Sequence, residues 1–412
     1  MRLLLLILSF LIFTQGCKPK PTDPIDKILS TDIPLFQTVL EDPDKYELQV
    51  IYTQIDRDSD NHPAFTTYRY EVDENRYFYP ASTVKMPVAF LALEKLNQLS
   101  ISGLDRNTAM FTDSAYDGQT RVLVDSTSAN LQPSIAHYIK KIFLVSDNEA
   151  FNRLYEFVGQ ETINKQLKAK GFTNQRLQHR LSIALEPEQN RHTNPINFRN
   201  EDSLVYHQEP AYNPEDNAPN SPITKGVGYI KDDSLILEPM DFSNKNFFSL
   251  VDLHEVLQAV IFPEAHFEEQ RFQLTENDYR FLYQYMSQLP GETTYPNYPA
   301  LEYYDSYVKF FMYGDIHDQM SKHIRIFNKV GLAYGYLIDV AYIVDFENQV
   351  EFLLSAVIHV NENQIYNDGV YEYDSLGIPF LATLGRQVYE YEKLRTKQYL
   401  PDLTKFKLEY DQ

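Results

Sequence analysis

Residues 77–96 read YFYPASTVKMPVAFLALEKL and predict the central element of the chain. From Thr83 onwards the stretch contains no glycine, and Pro87 falls in the first turn of a helix, where proline is tolerated. Apolar residues point in more than one direction around this helix, which is typical of a helix that is surrounded by other elements. We therefore expect a buried helix over residues 83–96.

Strand patterns at the two ends of the chain enclose a long region of helical patterns. The patterns typical of strands occur at residues 46–55, 64–72, 338–345 and 350–359. The patterns typical of helices occur at residues 133–145, 149–158, 162–170, 247–262, 278–287 and 379–394. This order predicts an α+β fold, in which an antiparallel sheet built from both chain ends has flanking helices and is joined to a mostly helical lobe.

Residues 199–246 differ in composition from the rest of the chain. They are rich in Asn, Asp, Glu and Pro, and two short stretches within them, 226–230 and 235–237, resemble strands. A segment of this length with so little pattern is usually a functional loop or an insertion. We therefore expect an insertion at 199–246 within the helical part of the protein.

The composition is that of an acidic, folded protein of 412 residues, with 37 basic and 58 acidic residues and a net charge of −21. Such a surface repels phosphate backbones, so nucleic acid is not an expected partner. The single cysteine excludes an internal disulfide and a cysteine-rich metal site. His254 and Glu255 lack the second histidine of a zinc-protease motif, and no metal or other cofactor is implied.

The first 16 residues predict a signal peptide. Arg2 precedes an apolar run at 3–13, which is too short to span a bilayer but suits a signal sequence. Gly16 and Cys17 then resemble the processing site of a bacterial lipoprotein, although Thr14 stands where such signals usually carry an aliphatic residue. The alternative is a plain secretory signal with an incidental cysteine.

Lipidation of Cys17 would hold the protein on a membrane through its N-terminal lipid alone. Residues 17–30, which include the run Lys18-Pro19-Lys20-Pro21, are expected to form a stiff, solvated tether. The sequence therefore predicts an exported lipoprotein of the cell envelope that faces the periplasm.

Three short motifs contain residue types that are suited to catalysis, and the first is Ser82-Thr83-Val84-Lys85. Positions i and i+3 of a helix share one face, so the lysine amine can reach the serine hydroxyl. A buried lysine loses its proton more easily, and a base of this kind activates an alcohol for nucleophilic attack. The alternative is that Ser82 caps the helix and Lys85 is exposed. The same spacing at Ser306 and Lys309 is attributed to chance.

The other two motifs are Ser146-Asp147-Asn148 and Lys329-Val330-Gly331. The former opens a predicted helix, so it is either a simple cap or a second hydroxyl and an amide placed beside Ser82. The latter leads into a predicted strand that contains Gly335 and Asp339, and a lysine at a strand start means little by itself.

In this order the three motifs resemble the S-x-x-K, S-D-N and K-T-G set of penicillin-binding proteins and class A β-lactamases. Leu185-Glu186-Pro187-Glu188-Gln189-Asn190 is similar to the Ω-loop of that family, where a Glu and an Asn four residues later hold the hydrolytic water. Thr193-Asn194-Pro195 is similar to the Thr-Thr-Pro that follows. The resemblance covers about residues 46–394 apart from 199–246 and implies one catalytic domain over residues 31–412. Its expected parts are an α/β part at about 31–75 and 325–412 and a helical part at about 76–324.

The resemblance implies a mechanism through an acyl-enzyme. Ser82 would attack an amide carbonyl, and Lys85, or Glu186 through a water molecule, would take its proton; the base is disputed for the family. Ser146 would pass a proton to the departing nitrogen while Lys329 holds its hydroxyl in place. Glu186 would later aim the water that releases the acyl group.

The resemblance also implies a set of substrate-binding residues: Asn148, Asn190, Lys329, Gly331 and Leu332. Asn148 would contact Lys85 and the amide side chain of the substrate. The backbone N–H groups of Ser82 and Leu332 would form the oxyanion hole.

Three features depart from the family pattern. Val330 replaces a Thr or Ser whose hydroxyl binds the substrate carboxylate in the family. A buried carboxylate that lacks one hydrogen-bond donor loses on the order of 1–3 kcal/mol of binding free energy. Glu188 lies two residues from Glu186 and is the alternative catalytic acid. The insertion at 199–246 is a candidate cover for the cleft.

Three functions are therefore weighed for this sequence. The first is a class A β-lactamase-like serine hydrolase, which the Glu186 and Asn190 spacing favours. The second is a D-alanyl-D-alanine peptidase or another peptidoglycan-directed acyl-transferase, which Val330 and the insertion favour. The third is a catalytically silent lipoprotein that uses the fold as a binding scaffold. The expected partner is thus a small β-lactam or a peptidoglycan-like substrate.

Overall fold

The computed structural model describes residues 23–410. The signal peptide predicted over residues 1–16, the predicted lipidation site Cys17 and the first part of the predicted tether lie outside this range. None of the helices between residues 23 and 410 combines the length and the apolar character needed to cross a membrane.

The described residues form the predicted helices and strands in the predicted order, together with three N-terminal helices, α8 and several short strands that were not predicted. The helices are α1 (Pro24–Leu29), α2 (Pro34–Leu40), α3 (Pro43–Tyr46), α4 (Lys85–Leu99), α5 (Ile135–Val145), α6 (Asn148–Val158), α7 (Gln160–Ala169), α8 (Pro187–Arg191), α9 (Leu250–Ile261), α10 (Glu276–Ser287) and α11 (Ile378–Leu394). The strands are β1 (Gln49–Arg57), β2 (Pro63–Tyr70), β3 (Ala109–Thr112), β4 (Gln175–Arg176), β5 (His192–Thr193), β6 (Ile196–Asn200), β7 (Ser203–Gln208), β8 (Ala211–Tyr212), β9 (Thr224–Lys225), β10 (Gly228–Lys231), β11 (Ser234–Ile236), β12 (Met240–Asp241), β13 (Phe247–Phe248), β14 (Ile324–Ala333), β15 (Tyr336–Asp345), β16 (Val350–His359) and β17 (Ile365–Tyr366). The prediction of an α+β fold is confirmed.

The main sheet has five antiparallel strands in the order β14-β15-β16-β1-β2. Its centre joins the two ends of the chain, because β1 pairs with β16 over Gln49↔Val357 to Gln54↔Phe352. Every residue of β15 and β16 is buried, which is typical of strands covered on both faces. The predicted sharing of one sheet by both chain ends is therefore observed.

The edge strand β14 differs from the prediction. The sequence placed Lys329 at the start of a strand that contains Gly335, but Lys329 lies in the middle of β14, which begins at Ile324. Polar residues such as Arg325 and Asn328 interrupt the apolar pattern of this strand, so its first half was not predicted from the sequence. Tyr334 and Gly335, with φ angles of 55° and 81°, form the two-residue turn to β15, as positive φ at both positions favours a tight hairpin.

Helix α4 is the predicted central helix. A short 3₁₀ turn, Ala81–Val84, precedes it, so the predicted helix start at residue 83 falls inside that turn. Most of its side chains are buried, including Lys85 and Glu94. The apolar surface that α4 shares with α5, α6 and one face of the sheet forms one of two hydrophobic clusters.

The second hydrophobic cluster, on the other face of the sheet, includes the N-terminal helix α1. Ile25, Ile28 and Leu29 are buried, and α1 contacts α11 and β2. The predicted tether over residues 17–30 is therefore wrong in its second half. The apolar spacing of these three residues forms a helical face, which the preceding prolines obscured in the sequence.

The insertion at 199–246 contains several short strands rather than an unpatterned loop. Strand β10 runs parallel to β17, and Lys225 forms an ion pair with Glu47 at 2.7 Å. A Cβ atom on Gly226 would lie 2.4 Å from the carbonyl oxygen of Gln364, so this glycine permits a close backbone approach. These contacts fix the insertion to one end of the main sheet.

A buried ion pair ties β1 to β16. Arg57 donates from Nε and Nη2 to the two carboxylate oxygens of Glu351 at 2.6 and 2.7 Å. The two side chains are 5% and 0% exposed, and the hydroxyl of Tyr342 also donates to Glu351. Removal of one partner would leave the other charge buried and unpaired.

We expect Glu351→Ala to lower the free energy of unfolding by about 3–5 kcal/mol, because an unpaired buried guanidinium is costly. Urea denaturation followed by circular dichroism measures this change. Glu238→Ala, at an exposed position of the insertion, is the matched control and should change stability by less than about 0.5 kcal/mol. A similar small loss for Glu351→Ala would contradict this interpretation.

Candidate active site

Ser82 lies in the 3₁₀ turn that leads into α4. Pro80 accepts hydrogen bonds from the N–H and the Oγ1 of Thr83, at 3.1 and 2.6 Å, which tightens this turn. Ala81 has a φ of 48°, a conformation that is strained for a residue with a side chain and is found at functional sites. The turn leaves Ser82 partly exposed at the start of an otherwise buried helix.

The edge strand β14 packs directly against this turn at Gly331. A Cβ atom there would lie 2.7 Å from the carbonyl oxygen of Pro80 and 3.2 Å from the backbone nitrogen of Ser82. Glycine therefore permits the strand to approach the serine. The next residue, Leu332, has a 42% exposed side chain, and its backbone continues along β14 beside Ser82.

Lys85 is fully buried and points to the junction between α5 and α6. Its Nζ donates to the carbonyl oxygen of Ser146, to Asn148 Oδ1 at 2.7 Å and to Ser146 Oγ at 3.2 Å. Burial lowers the pKa of Lys85 to about 7, and the nearby charge of Asp147 opposes this shift. Lys85 can therefore lose its proton near neutral pH. The alternative interpretation, in which Lys85 is exposed, is ruled out because the side chain is buried.

Lys329 approaches the same hydroxyl from the sheet. Its Nζ donates to Ser146 Oγ at 2.8 Å and to the carbonyl oxygen of Val330 at 2.9 Å. Burial, and then the charge of Lys85, hold the pKa of Lys329 well below its ordinary value. Ser146 ends α5 with a φ of 60°, and its hydroxyl lies between the two amines. Three residues that are distant in the sequence therefore meet at one oxygen atom.

Asn148 joins this cluster to the loop that precedes α8. It opens α6, accepts from Lys85 and donates from Nδ2 to Ser182 Oγ at 2.7 Å. Ser182 was not predicted as a site residue, because an exposed serine in a loop carries no signal of its own. The amide of Asn148 is thus oriented from both ends.

The predicted Ω-loop residues Glu186 and Asn190 form no hydrogen bond with Lys85, Ser146 or Lys329 among the described residues. Glu186 is exposed immediately before α8, and within residues 23–410 no hydrogen bond joins its carboxylate to Ser82 or Lys85. Asn190 is buried and holds the loop backbone: it accepts from Arg180 N at 3.0 Å and donates to the carbonyl oxygens of Leu185 and Glu186, each at 3.2 Å. One lone pair of its side-chain oxygen is left for a water molecule.

The alternative acid Glu188 is exposed, forms an ion pair with Arg191 and contacts His192. Its carboxylate oxygens lie 3.4 Å from Arg191 Nη1 and 3.4 Å from His192 Nε2. The Glu188 carboxylate is therefore engaged by residues at the end of α8 and the start of β5. Glu186 forms no such ion pair in the described part of the chain; it instead forms a capping box with Gln189 at the start of α8.

The second Ser-x-x-Lys pattern, attributed to chance in the sequence, has a structural role. Lys309 is fully buried and donates to Met286 O at 2.7 Å, Ile326 O at 2.9 Å and Asn328 Oδ1 at 2.7 Å. Asn328 in turn donates to Asp339 Oδ1 at 2.8 Å. This network fixes β14 at the residue before Lys329.

Two further polar groups are structural or exposed. His254 lies in α9, with Nε2 2.9 Å from Thr53 Oγ1 and Nδ1 2.8 Å from Ser355 Oγ, so both ring nitrogens are occupied. Asp58, Asp60 and His62 form an exposed group in the β1–β2 turn that has the donor spacing of a metal site. Asp58 already accepts from the backbone N–H groups of Asp60 and His62, which explains the cluster as a turn.

We expect Gly331→Ala to slow the reaction of Ser82 with a fluorophosphonate probe by about 10- to 100-fold, because the added methyl group must displace β14 from the serine. Gel-based labelling over time measures the rate. Gly291→Ala is the matched control, since a Cβ atom at that position meets nothing within 4 Å. Equal labelling of the two variants would show that the close approach of β14 is not needed.

Comparison with known proteins assigns the family. Similar solved structures include a beta-lactamase from Sphaerobacter thermophilus (12% identity, TM-score 0.49, 91% of this chain and 98% of that chain). PBP-A (15%, 0.49, 90% and 97%) and a beta-lactamase from Xanthomonas campestris (14%, 0.48, 89% and 98%) are also similar. No curated protein matches the chain in sequence. The sequence model of the beta-lactamase enzyme family matches residues 37–391, and the chain therefore belongs to that family.

Proposed function

We propose that this serine hydrolase opens the amide bond of β-lactams through an acyl-enzyme on Ser82. The observation that carries the proposal is the hydroxyl of Ser146 held between the amines of Lys85 and Lys329. Lys85 follows Ser82 by three residues, and β14, which contains Lys329, approaches the backbone nitrogen of Ser82 at Gly331. A nucleophile, a neutralisable amine and a proton carrier are the groups that acyl transfer from an amide requires.

In the first step Ser82 Oγ attacks the amide carbonyl carbon. The Oγ–C bond forms and the proton of Ser82 passes to the neutral amine of Lys85, which is three residues away on the same helix face. The tetrahedral oxyanion would be stabilised by the backbone N–H groups of Ser82 and Leu332. The approach of Gly331 to the Ser82 nitrogen supports this pairing.

In the second step the C–N bond breaks and the departing nitrogen takes a proton from the Ser146 hydroxyl. Ser146 then regains a proton from Lys85, to which it is hydrogen-bonded, so the proton of Ser82 ends on the leaving nitrogen. Lys329 keeps the Ser146 hydroxyl in place throughout. A positioned acid or base of this kind contributes about 10²–10⁴-fold to the rate.

Release of the acyl group requires a water molecule that attacks the ester carbon. We propose that Glu186 takes a proton from this water and the new C–O bond forms. The ester bond to Ser82 Oγ then breaks, and the proton held by Glu186 returns to Ser82 Oγ, which restores both groups. Asn190 supports the loop that carries Glu186 through two bonds to backbone carbonyl groups. Glu186 has no cationic partner in the described part of the chain, whereas Glu188 is paired with Arg191, and this difference favours Glu186 for the role.

The second candidate function is that of a D-alanyl-D-alanine peptidase or another peptidoglycan-directed acyl-transferase. The exposed position of Glu186 and the commitment of the Asn190 amide to the loop backbone favour it, because both features make a slow release of a penicillin-derived acyl group expected. The side chain of Val330 supplies no hydroxyl to a substrate carboxylate, which also favours it.

We expect benzylpenicillin to add to the wild-type protein and the adduct then to disappear, whereas Ser82→Ala should form no adduct. Intact-protein mass spectrometry over time measures both. Ser306→Ala is the matched control, since it removes the serine of the second Ser-x-x-Lys pattern. No adduct on the wild type would refute the proposal, and a persistent adduct would select the second candidate. Glu186→Gln should lengthen the adduct lifetime by about 100-fold, and Glu188→Gln should not.

We expect the rate constant of acylation to rise with pH through about 7 and to level off above it. Lys85 must be neutral to accept a proton, and its pKa of about 7 places half of the amine in this form at that pH. Stopped-flow measurements with nitrocefin between about pH 5.5 and 9 give the profile, with circular dichroism at each pH as the control for folding. A rate that is constant across this range would exclude Lys85 as the base.

A further inference from the structure

A cavity of about 940 Å³ lies between the predicted Ω-loop and the insertion. Residues 183–188 of the loop form one wall, and the insertion forms the other with Tyr229, Lys231, Asp241 and Lys245. The volume falls within the range of sites that hold small ligands. Neither Ser82 nor Lys85 lines it, whereas Glu186, the proposed base of the release step, lies in its wall.

Two contacts lead from the edges of this cavity towards the segments that carry the reacting groups. Asn148 donates to Ser182, the residue directly before the cavity wall begins at Ile183. On the opposite side Lys245 lies 5.7 Å above the ring of Tyr334, which follows Gly331 by three residues. The cavity therefore begins where the amide of Asn148, the group proposed to bind the side chain of the acyl donor, is held.

The cavity carries charges of both signs that do not neutralise one another. Lys231 and Lys245 form no ion pair among the described residues. Asp216 and Asp241 accept from the backbone N–H groups of Ala218 and Ser243, at 2.9 and 2.8 Å, and have no cationic partner in the described part of the chain. Of the other acids in the lining, Glu215 is paired with Lys165 at 3.1 Å and Glu188 with Arg191 at 3.4 Å, whereas Glu186 has no cationic partner among residues 23–410 and is reserved here for the release step. Unpaired ammonium and carboxylate groups on one surface fit a ligand that carries both charges.

We propose that the cavity between the Ω-loop and the insertion binds a zwitterionic side chain, with one ammonium and one carboxylate, on the acyl part of the substrate. The inference rests on the proposed function, because it extends the acyl donor from Asn148 into the cavity. The lysines of the insertion bind the carboxylate and the aspartates bind the ammonium. A peptide that ends in D-alanine and contains a diamino or aminodicarboxylic acid belongs to this substrate class, whereas an uncharged aryl side chain leaves these four residues unused.

Two penicillins with the same nucleus test the proposal. Benzylpenicillin has an uncharged phenylacetyl side chain, and the penicillin with an α-aminoadipyl side chain carries one ammonium and one carboxylate. We expect the second-order rate constant of Ser82 acylation to be about tenfold higher for the aminoadipyl compound. The ratio of the two rate constants should fall as the salt concentration is raised from about 50 to 500 mM, because salt screens partly exposed ion pairs.

Charge-removing variants locate the preference. Lys231→Gln combined with Lys245→Gln should bring the ratio of the two rate constants close to one. Lys168→Gln combined with Lys322→Gln removes the same charge from exposed positions outside the cavity and should preserve the ratio. A ratio near one in the wild type, or an equal ratio in the two double variants, would overturn the proposal.

Calorimetric titration of the full-length Ser82→Ala protein separates binding from acylation. The cavity proposal is supported if the aminoadipyl compound binds more tightly than benzylpenicillin and the Lys231 and Lys245 substitutions remove this difference. That result would stand even if the wild type is not acylated, because absence of acylation refutes the proposed function alone. Equal binding of the two penicillins overturns the cavity proposal and leaves acylation of Ser82 to be judged by its own adduct.

Discussion

The sharing of one hydroxyl by two buried amines is the constraint on which the arrangement of this protein depends. Transfer of a charged ammonium from water to a protein interior is unfavourable by several kcal/mol, even after relaxation. The chain offsets this around Lys85 and Lys329 with oxygen acceptors from three places: the α5–α6 junction, the Asn148 side chain and the carbonyl group of Val330. The remaining cost lowers the pKa of both lysines, and this is the property that a proton-transfer site requires.

This constraint requires the edge of the sheet and the helical lobe to meet at the start of α4. Lys85 comes from the central helix, Ser146 from the helical lobe and Lys329 from the edge of the sheet, so the three groups meet only if β14 lies against the start of α4. Gly331 allows that contact, and the buried network of Lys309, Asn328 and Asp339 holds the strand from behind. Rigid support of this kind is what keeps a proton-transfer site within the small positional tolerance that catalysis allows.

Much of the fold could be predicted from the sequence because its main elements have strong local patterns. The central helix and the hairpin of β15 and β16 contain long apolar runs, and their bounds were predicted within a few residues. Strand β14 was recognised only in part, since its polar residues serve a buried network that no local pattern reveals. The short strands of the insertion exist through pairing with distant segments, such as β10 with β17, and pairing of this kind is not encoded in a window of sequence.

The candidate site shows the same division. Spacing along a helix was enough to propose Ser82 and Lys85 together, and motif order was enough to add Ser146 and Lys329. The contact of Asn148 with Ser182 and the structural role of Lys309 depend on the distance between segments that are remote in the chain, so they became visible only in three dimensions.

The attachment of the insertion to the sheet has a thermodynamic consequence for recognition. Glu47 accepts both from Lys225 and from the hydroxyl of Tyr336 at 3.0 Å, and therefore links the insertion, the first strand region and β15. A wall held in this way is in place before any ligand arrives, so association immobilises few additional protein groups and loses little conformational entropy. For a ligand of this cavity, recognition then depends on its fit to a surface that is already formed, because little further closure of the protein is available to improve that fit.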